Sequence, residues 1–177
     1  MVQPIFPLNI RYGVTGDAKL LSELGAKTFS DTFAKDNTPE NMATYLKASF
    51  SPEIQFRELS SPENIFLIVE SENIPIGFVQ LILDSKEESI KGTKSLEIRR
   101  IYALQEYIGK GVGKALMEAA VHEARQHGCD TIWLGVWEKN PRAIHFYQKW
   151  GFKEVGTHIF YVGQDPQRDF IMELTLV

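Results

Sequence analysis

The chemistry of this chain concentrates in one run, Gly109-Lys110-Gly111-Val112-Gly113-Lys114. Strand-forming residues precede it and helical periodicity follows. It therefore sits where backbone N–H groups lack intrahelical partners and the helix dipole is positive. That is an anion site: glycines let the backbone close on an oxyanion, Lys110 and Lys114 add charge, and a phosphate or pyrophosphate is the natural ligand. The plain alternative is an ordinary strand-to-helix turn. Two phosphate loops fail letter by letter. A Walker A loop would need glycine at Ile108 and a hydroxyl at Ala115. A Rossmann fingerprint read from Gly109 ends on Lys114, and the preceding elements do not open a β-α-β unit.

The elements that must position this run can be read from period and punctuation. Leu8 to Tyr12 reads as an edge strand, and Thr15, Gly16 and Asp17 lead into a helix carrying Leu20, Leu21, Leu24, Thr28 and Phe29. Thr38-Pro39-Glu40 starts a second helix towards Phe50, and Ser51-Pro52 and Ser61-Pro62 bound a short third over Ile54 to Leu59. Ile65 to Glu70 and Ile76 to Asp84 read as an antiparallel hairpin. Ser95 to Ala103 is the next strand, with a change of exposure near its end. An amphipathic helix runs from Gly113 to about His127, closed by Gly128. Thr131 to Trp137 is almost continuously apolar, as in a strand covered on both faces. Asn140-Pro141 caps a helix stopped at Gly151, and strands over Phe152 to Val162 and Asp169 to Leu176 finish a mixed α/β chain.

Composition bounds the classes. With 177 residues, 44% hydrophobic and 24% charged, one domain over residues 1–177 is expected, with no repeat or linker to divide it. A chain of this size buries roughly 70% of its unfolded surface, so it needs no disulfide or structural metal, and the one cysteine, Cys129, allows no internal disulfide. No apolar stretch reaches the ~18 residues of a membrane span, and the first twenty residues lack a basic start followed by an apolar run. A cytoplasmic protein without a membrane partner is the expectation. A net charge of −4, from 19 basic against 23 acidic residues, argues against nucleic acid and suits a cationic partner. His122-Glu123-Ala124-Arg125-Gln126-His127 is not a zinc motif, because its second histidine lies about 140° around a helix from the first, so no metal is expected.

Two blocks at their expected separation carry a family resemblance. Ile108-Gly109-Lys110-Gly111-Val112-Gly113 resembles the Q/R-x-x-G-x-G/A pyrophosphate loop of the GNAT N-acetyltransferases, with Ile108 where that family usually has Gln or Arg. Asn140 to Phe152 (NPRAIHFYQKWGF) resembles the family's N-x-x-A-x-x-F-Y-x-K-x-G-F. Ser95 to Tyr102, Ile132 to Asn140, Thr28 to Phe33 and Pro39 to Met42 are similar to the bacterial PaiA-type polyamine N-acetyltransferases, over essentially the whole chain. The resemblance implies the GNAT fold, a mixed, mostly antiparallel sheet splayed between its fourth and fifth strands. It also implies acetyl-CoA as cosubstrate, wedged in the gap, and a small cationic amine such as spermidine or spermine as acceptor.

Acetyl transfer to an amine needs a deprotonated nucleophile, a polarised thioester carbonyl and a proton for the departing thiolate. An alkyl amine of pKa roughly 10 arrives protonated, so a carboxylate is required, and Glu97 is the first choice; its competing reading is a surface residue paired with Arg99 or Arg125. The resemblance implies backbone N–H groups near Ile101, Tyr102 and Ala103 at the carbonyl, and Tyr147 as the proton donor. The plain alternative for Tyr147 is packing with Phe146 and Trp150. Asn140 reads first as a helix cap beside Ala143 and then as a contact to the pantetheine arm. Arg142 and Lys149 read as contacts to CoA phosphates or as solvated charges. Cys129 reads as a buried residue, because direct attack needs no acyl-enzyme. Phe29, Phe33, Tyr45 and Phe50 read as packing, with Asp31, Asp36 and Glu40 either lining an acceptor entrance or lying on solvated faces. A homodimer is compatible with the sequence. The competing functions are acetylation of a protein or another small amine, a non-catalytic acetyl-CoA sensor, and a nucleotidase.

Overall fold

Apolar runs of four to eight residues separated by tight turns assemble into one sheet. The computed structural model describes residues 7–176; the first six residues of the N-terminal stretch considered above lie outside them. The elements are β1 (Asn9–Tyr12), α1 (Ala18–Phe33), α2 (Pro39–Phe50), α3 (Pro52–Ser60), β2 (Asn64–Ser71), β3 (Ile74–Leu83), β4 (Ser95–Ala103), α4 (Val112–Gln126), β5 (Thr131–Trp137), α5 (Pro141–Lys149), β6 (Lys153–Val162) and β7 (Asp165–Thr175). The strands lie in the order β1-β2-β3-β4-β5-β7-β6. Every neighbouring pair is antiparallel except β4 and β5.

Helix starts follow their local chemistry. The side chains of Thr38 and Ser51 accept from the third amide of α2 and α3, with proline at the first helical position. Two boundaries differ from the sequence reading. The β2–β3 hairpin closes through Glu72 and Asn73, both at positive φ, so the strands run closer to the turn than the segment Ser-Glu-Asn-Ile-Pro suggested. β7 begins at Asp165, four residues before the expected Asp169. Gly163 at φ +62 makes the turn tight, and the polar start of β7 hid its strand character.

One face of the sheet packs Leu116, Met117 and Ala120 of α4 and Tyr147 of α5 against Leu96, Ile98, Ile132, Leu134 and Met172. The other packs Leu21 and Phe29 of α1 and Met42 and Phe50 of α2 against Phe66, Ile68, Phe78 and Val162. β4 changes allegiance within its length. Gln80 pairs with Arg100 and Leu81 with Ile98, leaving Arg99 as a bulge. Leu96 and Ile98 therefore face α4, whereas Tyr102 faces α1, which is the change of exposure read in the sequence.

The feature that makes a site is where the sheet opens. β4 and β5 are parallel neighbours only at Ser95↔Thr131, Leu96↔Ile132 and Glu97↔Trp133, and beyond these the strands diverge. No helix among the described residues is long and apolar enough to cross a membrane.

Candidate active site

The open end of the fork is lined by backbone donors. After the bulge, the amide of Leu104 donates to the carbonyl of Ile76 on β3 at 2.8 Å. Strand alternation turns the Tyr102 amide the same way and leaves those of Ile101 and Ala103 facing the gap. Of the three backbone positions expected at the thioester carbonyl, two thus present free N–H groups to the gap. The chain then reaches the glycine run, where Gly109 (φ +80) and Gly111 (φ +90) adopt a conformation side chains disfavour. Gly111 is the N-cap of α4 and supplies no side-chain cap, so the first-turn amides of Val112, Gly113 and Lys114 have no intrahelical acceptor. At Gly113 a Cβ would make ordinary contact with Phe146 at 3.6 Å, so the conformational demand falls on Gly109 and Gly111. Lys110 lies over the Tyr107 ring at 5.6 Å, and Lys114 pairs with Glu118 at 3.5 Å.

A groove of about 310 Å³ joins the fork to this loop, and its walls include Ala103, Ile108, Trp137, Asn140 and Arg142. Asn140 accepts from the Ala143 amide at 3.2 Å, which fixes the start of α5 and leaves its amide nitrogen for the groove. Lys149 ends α5, about 12 Å along the helix axis from Pro141, and does not line the groove. The unpaired amides, left-handed glycines and free strand edge fit a pyrophosphate at the loop and an extended amide arm along the fork.

Tyr147 is 8% exposed and packs on Phe146 and Phe152, at centroid distances of 5.4 and 5.8 Å. Burial raises its pKa, which keeps the phenol protonated. Its hydroxyl makes no hydrogen bond among the described residues, so its proton is available to a ligand. Glu97 is 6% exposed, on the last β4 pair before the fork. It accepts from Ser85 Oγ at 2.5 Å and from Arg99 Nε and Nη2 at 2.6 and 2.9 Å. The Arg99 pair is the one the sequence allowed, but Glu97 is buried rather than on the surface.

Apart from Lys149 and the Tyr102 amide, the residues expected to hold phosphate, arm and carbonyl lie along the fork and the loop beside it. The acetyltransferase (GNAT) family model matches residues 29–152. The chain belongs to the GNAT acetyltransferase family. An uncharacterised N-acetyltransferase of Lactobacillus delbrueckii subsp. lactis is 34% identical over 154 residues, covering 87% of this chain and 89% of that one. The Bacillus subtilis spermine/spermidine N(1)-acetyltransferase is 26% identical over 115 residues, 64% of this chain and 74% of its own. Among solved structures, the Thermoplasma acidophilum PaiA N-acetyltransferase in complex with coenzyme A superposes with a TM-score of 0.79 at 26% identity, covering 97% of this chain and 100% of that one. The protein is an acetyl-CoA-dependent N-acetyltransferase with the expected GNAT fold.

What sequence reasoning missed in this GNAT acetyltransferase lies on the α1/α2 face of the fork. The β3–β4 connection crosses that face. The Ser85 carbonyl accepts from the Trp133 indole at 3.1 Å, and the amides of Lys91 and Gly92 donate to Glu173 at 3.0 and 3.4 Å. Glu87 of the same connection stands beside His158, which stands beside Asp169. No spacing rule links three groups so far apart in sequence. Asp31 and Asp36 line the groove whereas Glu40 does not. The aromatic stripe packs as expected, Phe29 stacking on Tyr45 at 4.3 Å, and Phe33 reaches the Trp137 ring at 6.0 Å. Cys129 is buried, and that burial raises its thiol pKa. Among the described residues no cluster of His, Cys, Asp or Glu is disposed to hold a metal ion.

Proposed function

We propose that the acetyltransferase transfers acetyl directly to a primary amine of a polyamine such as spermidine or spermine, both substrates being bound together. The observation that carries this reading is the placement of carboxylates along one route. Asp31 and Asp36 stand in the groove wall, and Glu97 and Asp169 stand on the same face of the sheet near the fork. A chain of ammonium groups is the ligand such spacing suits, each carboxylate taking one cation, while the same groove wall also carries Lys35, Lys139 and Arg142. The names of the Bacillus subtilis and Thermoplasma acidophilum relatives support the same choice.

The chain's residues divide the work. The first-turn amides after Gly109 and Gly111 bind pyrophosphate, with Lys110, Lys114 and Arg142 as the nearby cations. The Ile101 and Ala103 amides hydrogen-bond the thioester carbonyl and stabilise negative charge developing there. Asn140 orients the arm, and Tyr147 supplies the proton for the departing sulfur. Glu97 is held by three donors, two on Oε2 and one on Oε1, which stabilise its charged form and make it a weak base for the amine's proton.

Release of free CoA thiol from acetyl-CoA, measured with spermidine, spermine, single amines and peptide amines, tests the acceptor. Polyamines are expected to turn over fastest. Equal or faster turnover of a peptide N-terminus or a simple monoamine would overturn the polyamine reading and leave the acetyltransferase intact.

A further inference from the structure

One cluster of titratable side chains includes Asp169, named above only for its charge, and has no part in the chemical steps of the scheme above. His158 on β6 and Asp169 on β7 are cross-strand partners. Imidazole Nε2 lies 3.6 Å from Asp169 Oδ2, and Nδ1 lies 3.8 Å from Glu87 Oε2. Both side chains rest over Gly135 of β5, where a Cβ would stand 3.0 Å from Nε2 and 3.2 Å from Oδ2. Glycine leaves room for them to lie on the strand, and Gly135 itself stays exposed.

The cluster is well placed along the fork. Gly135 lies two residues beyond Trp133, the last β5 residue paired with β4, which is about 7 Å into the opened region. It alternates with Leu134 and Val136, which face α4 and α5, so it belongs to the acceptor face. Across the gap, the half-buried Tyr102 phenol of β4 lies on the same face of the sheet. Glu97 is engaged by three donors. Asp169 is 7% exposed, and its one ionic neighbour among the described residues is His158, too distant for a direct hydrogen bond. A buried carboxylate with that much unused capacity is suited to an ammonium group.

We propose that His158 is the base that deprotonates the acceptor amine, with Asp169 holding the ammonium and the Glu87 carboxylate beside Nδ1 favouring the protonated ring. The inference rests on N-acetyl transfer and not on the acceptor being a polyamine. Asp169 accepts a hydrogen bond from R–NH3+, and the unprotonated Nε2 takes one proton. The R–NH2 lone pair then forms the C–N bond to the acetyl carbon while the thioester C–S bond breaks. Tyr147 gives its proton to the sulfur and regains one from the attacking nitrogen. Ammonium and thioester thus become amide, thiol and one proton, which leaves from His158 past Glu87 to solvent.

The groups facing His158 are Asp169 from β7 and Glu87 from the β3–β4 connection, while β5 contributes only Gly135. The carboxylates, Asp169 foremost, raise the imidazole pKa above its ordinary value against the opposing effect of burial. The base form therefore accumulates as pH rises through a value above the usual 6.5.

The test measures kcat/KM against pH with the best amine from the CoA-release panel, alongside NMR titration of the His158 ring. In the native enzyme the rate limb and the ring titration should coincide above 6.5. Glu87→Gln should move both to lower pH together. His158→Gln should lose the limb and about 100-fold in kcat with an unchanged KM for acetyl-CoA. A limb that survives His158→Gln, or a ring titration that Glu87→Gln moves without moving the limb, overturns the assignment. If His158→Gln fails to fold, the paired shift in Glu87→Gln decides alone. Failure of the polyamine reading shows separately, in which amine wins the panel.

Discussion

The two sides of the fork solve the same positioning problem with different materials. The cofactor side, from Ile101 through Lys114 and across to Asn140, is built from backbone: free strand amides, left-handed glycines and a helix start. The proposed acceptor side is built from side chains: Asp31 of α1 lines the groove, while Glu97 of β4 with Ser85, and the Glu87, His158 and Asp169 cluster, lie on the same face of the sheet. Backbone donors are common to every residue type, so the first arrangement tolerates Ile108 where the family usually has Gln or Arg. Side chains on separate elements can be exchanged one by one, so the second is where we place acceptor choice.

Four variants break or sharpen this contrast. The largest effect belongs to the backbone side. Gly111→Val forces a β-branched residue to φ +90 and sets a side chain beside the first-turn amides, so acetyl-CoA affinity should fall at least 100-fold by calorimetry. Normal affinity would remove the loop from phosphate binding. Tyr147→Phe should lower kcat by about 100-fold while the KM for acetyl-CoA stays within about twofold, because the phenol acts on the departing sulfur. An unchanged kcat would leave Tyr147 a packing residue. On the side-chain face, Asp31→Asn combined with Asp36→Asn should raise the KM for spermidine by about fivefold at low salt, with the gap closing as ionic strength rises. A rise in the acetyl-CoA KM instead would assign the two aspartates to the wrong substrate. The smallest change is Asn140→Ala, which removes the cap from α5 at a cost of about 1 kcal/mol. The melting temperature should fall by about 2–4 °C. A larger loss in acetyl-CoA affinity than in stability would show the amide reaching the arm as well as capping the helix.

The contrast also explains what could be read in advance. Gly109 and Gly111 were legible because a left-handed backbone before a helix needs glycine, and that demand is local. The Asn140-Pro141 start of α5 was legible for the same reason. The partners of Glu97 were only half legible: Arg99 was expected two residues away, but Ser85 arrives from a connection that no local rule places. Lys149 illustrates the converse, since it matches a motif letter yet stands at the far end of its helix from the groove.

The sequence by itself determined the order of elements, the glycine turn before α4 and the family, because caps, turn glycines and hydrophobic periods act over a few residues. Only the tertiary structure decided which side chains share the acceptor face. Bulges do that work: one at Arg99 turns the rest of β4 towards α1, and a register shift between Glu154 and Gly156 precedes the stretch of β6 that sets His158 opposite Asp169. Because side chains alternate with a period of two, a slip of one residue in either strand would send these groups to the opposite face. That register is fixed by the packing of both faces at once.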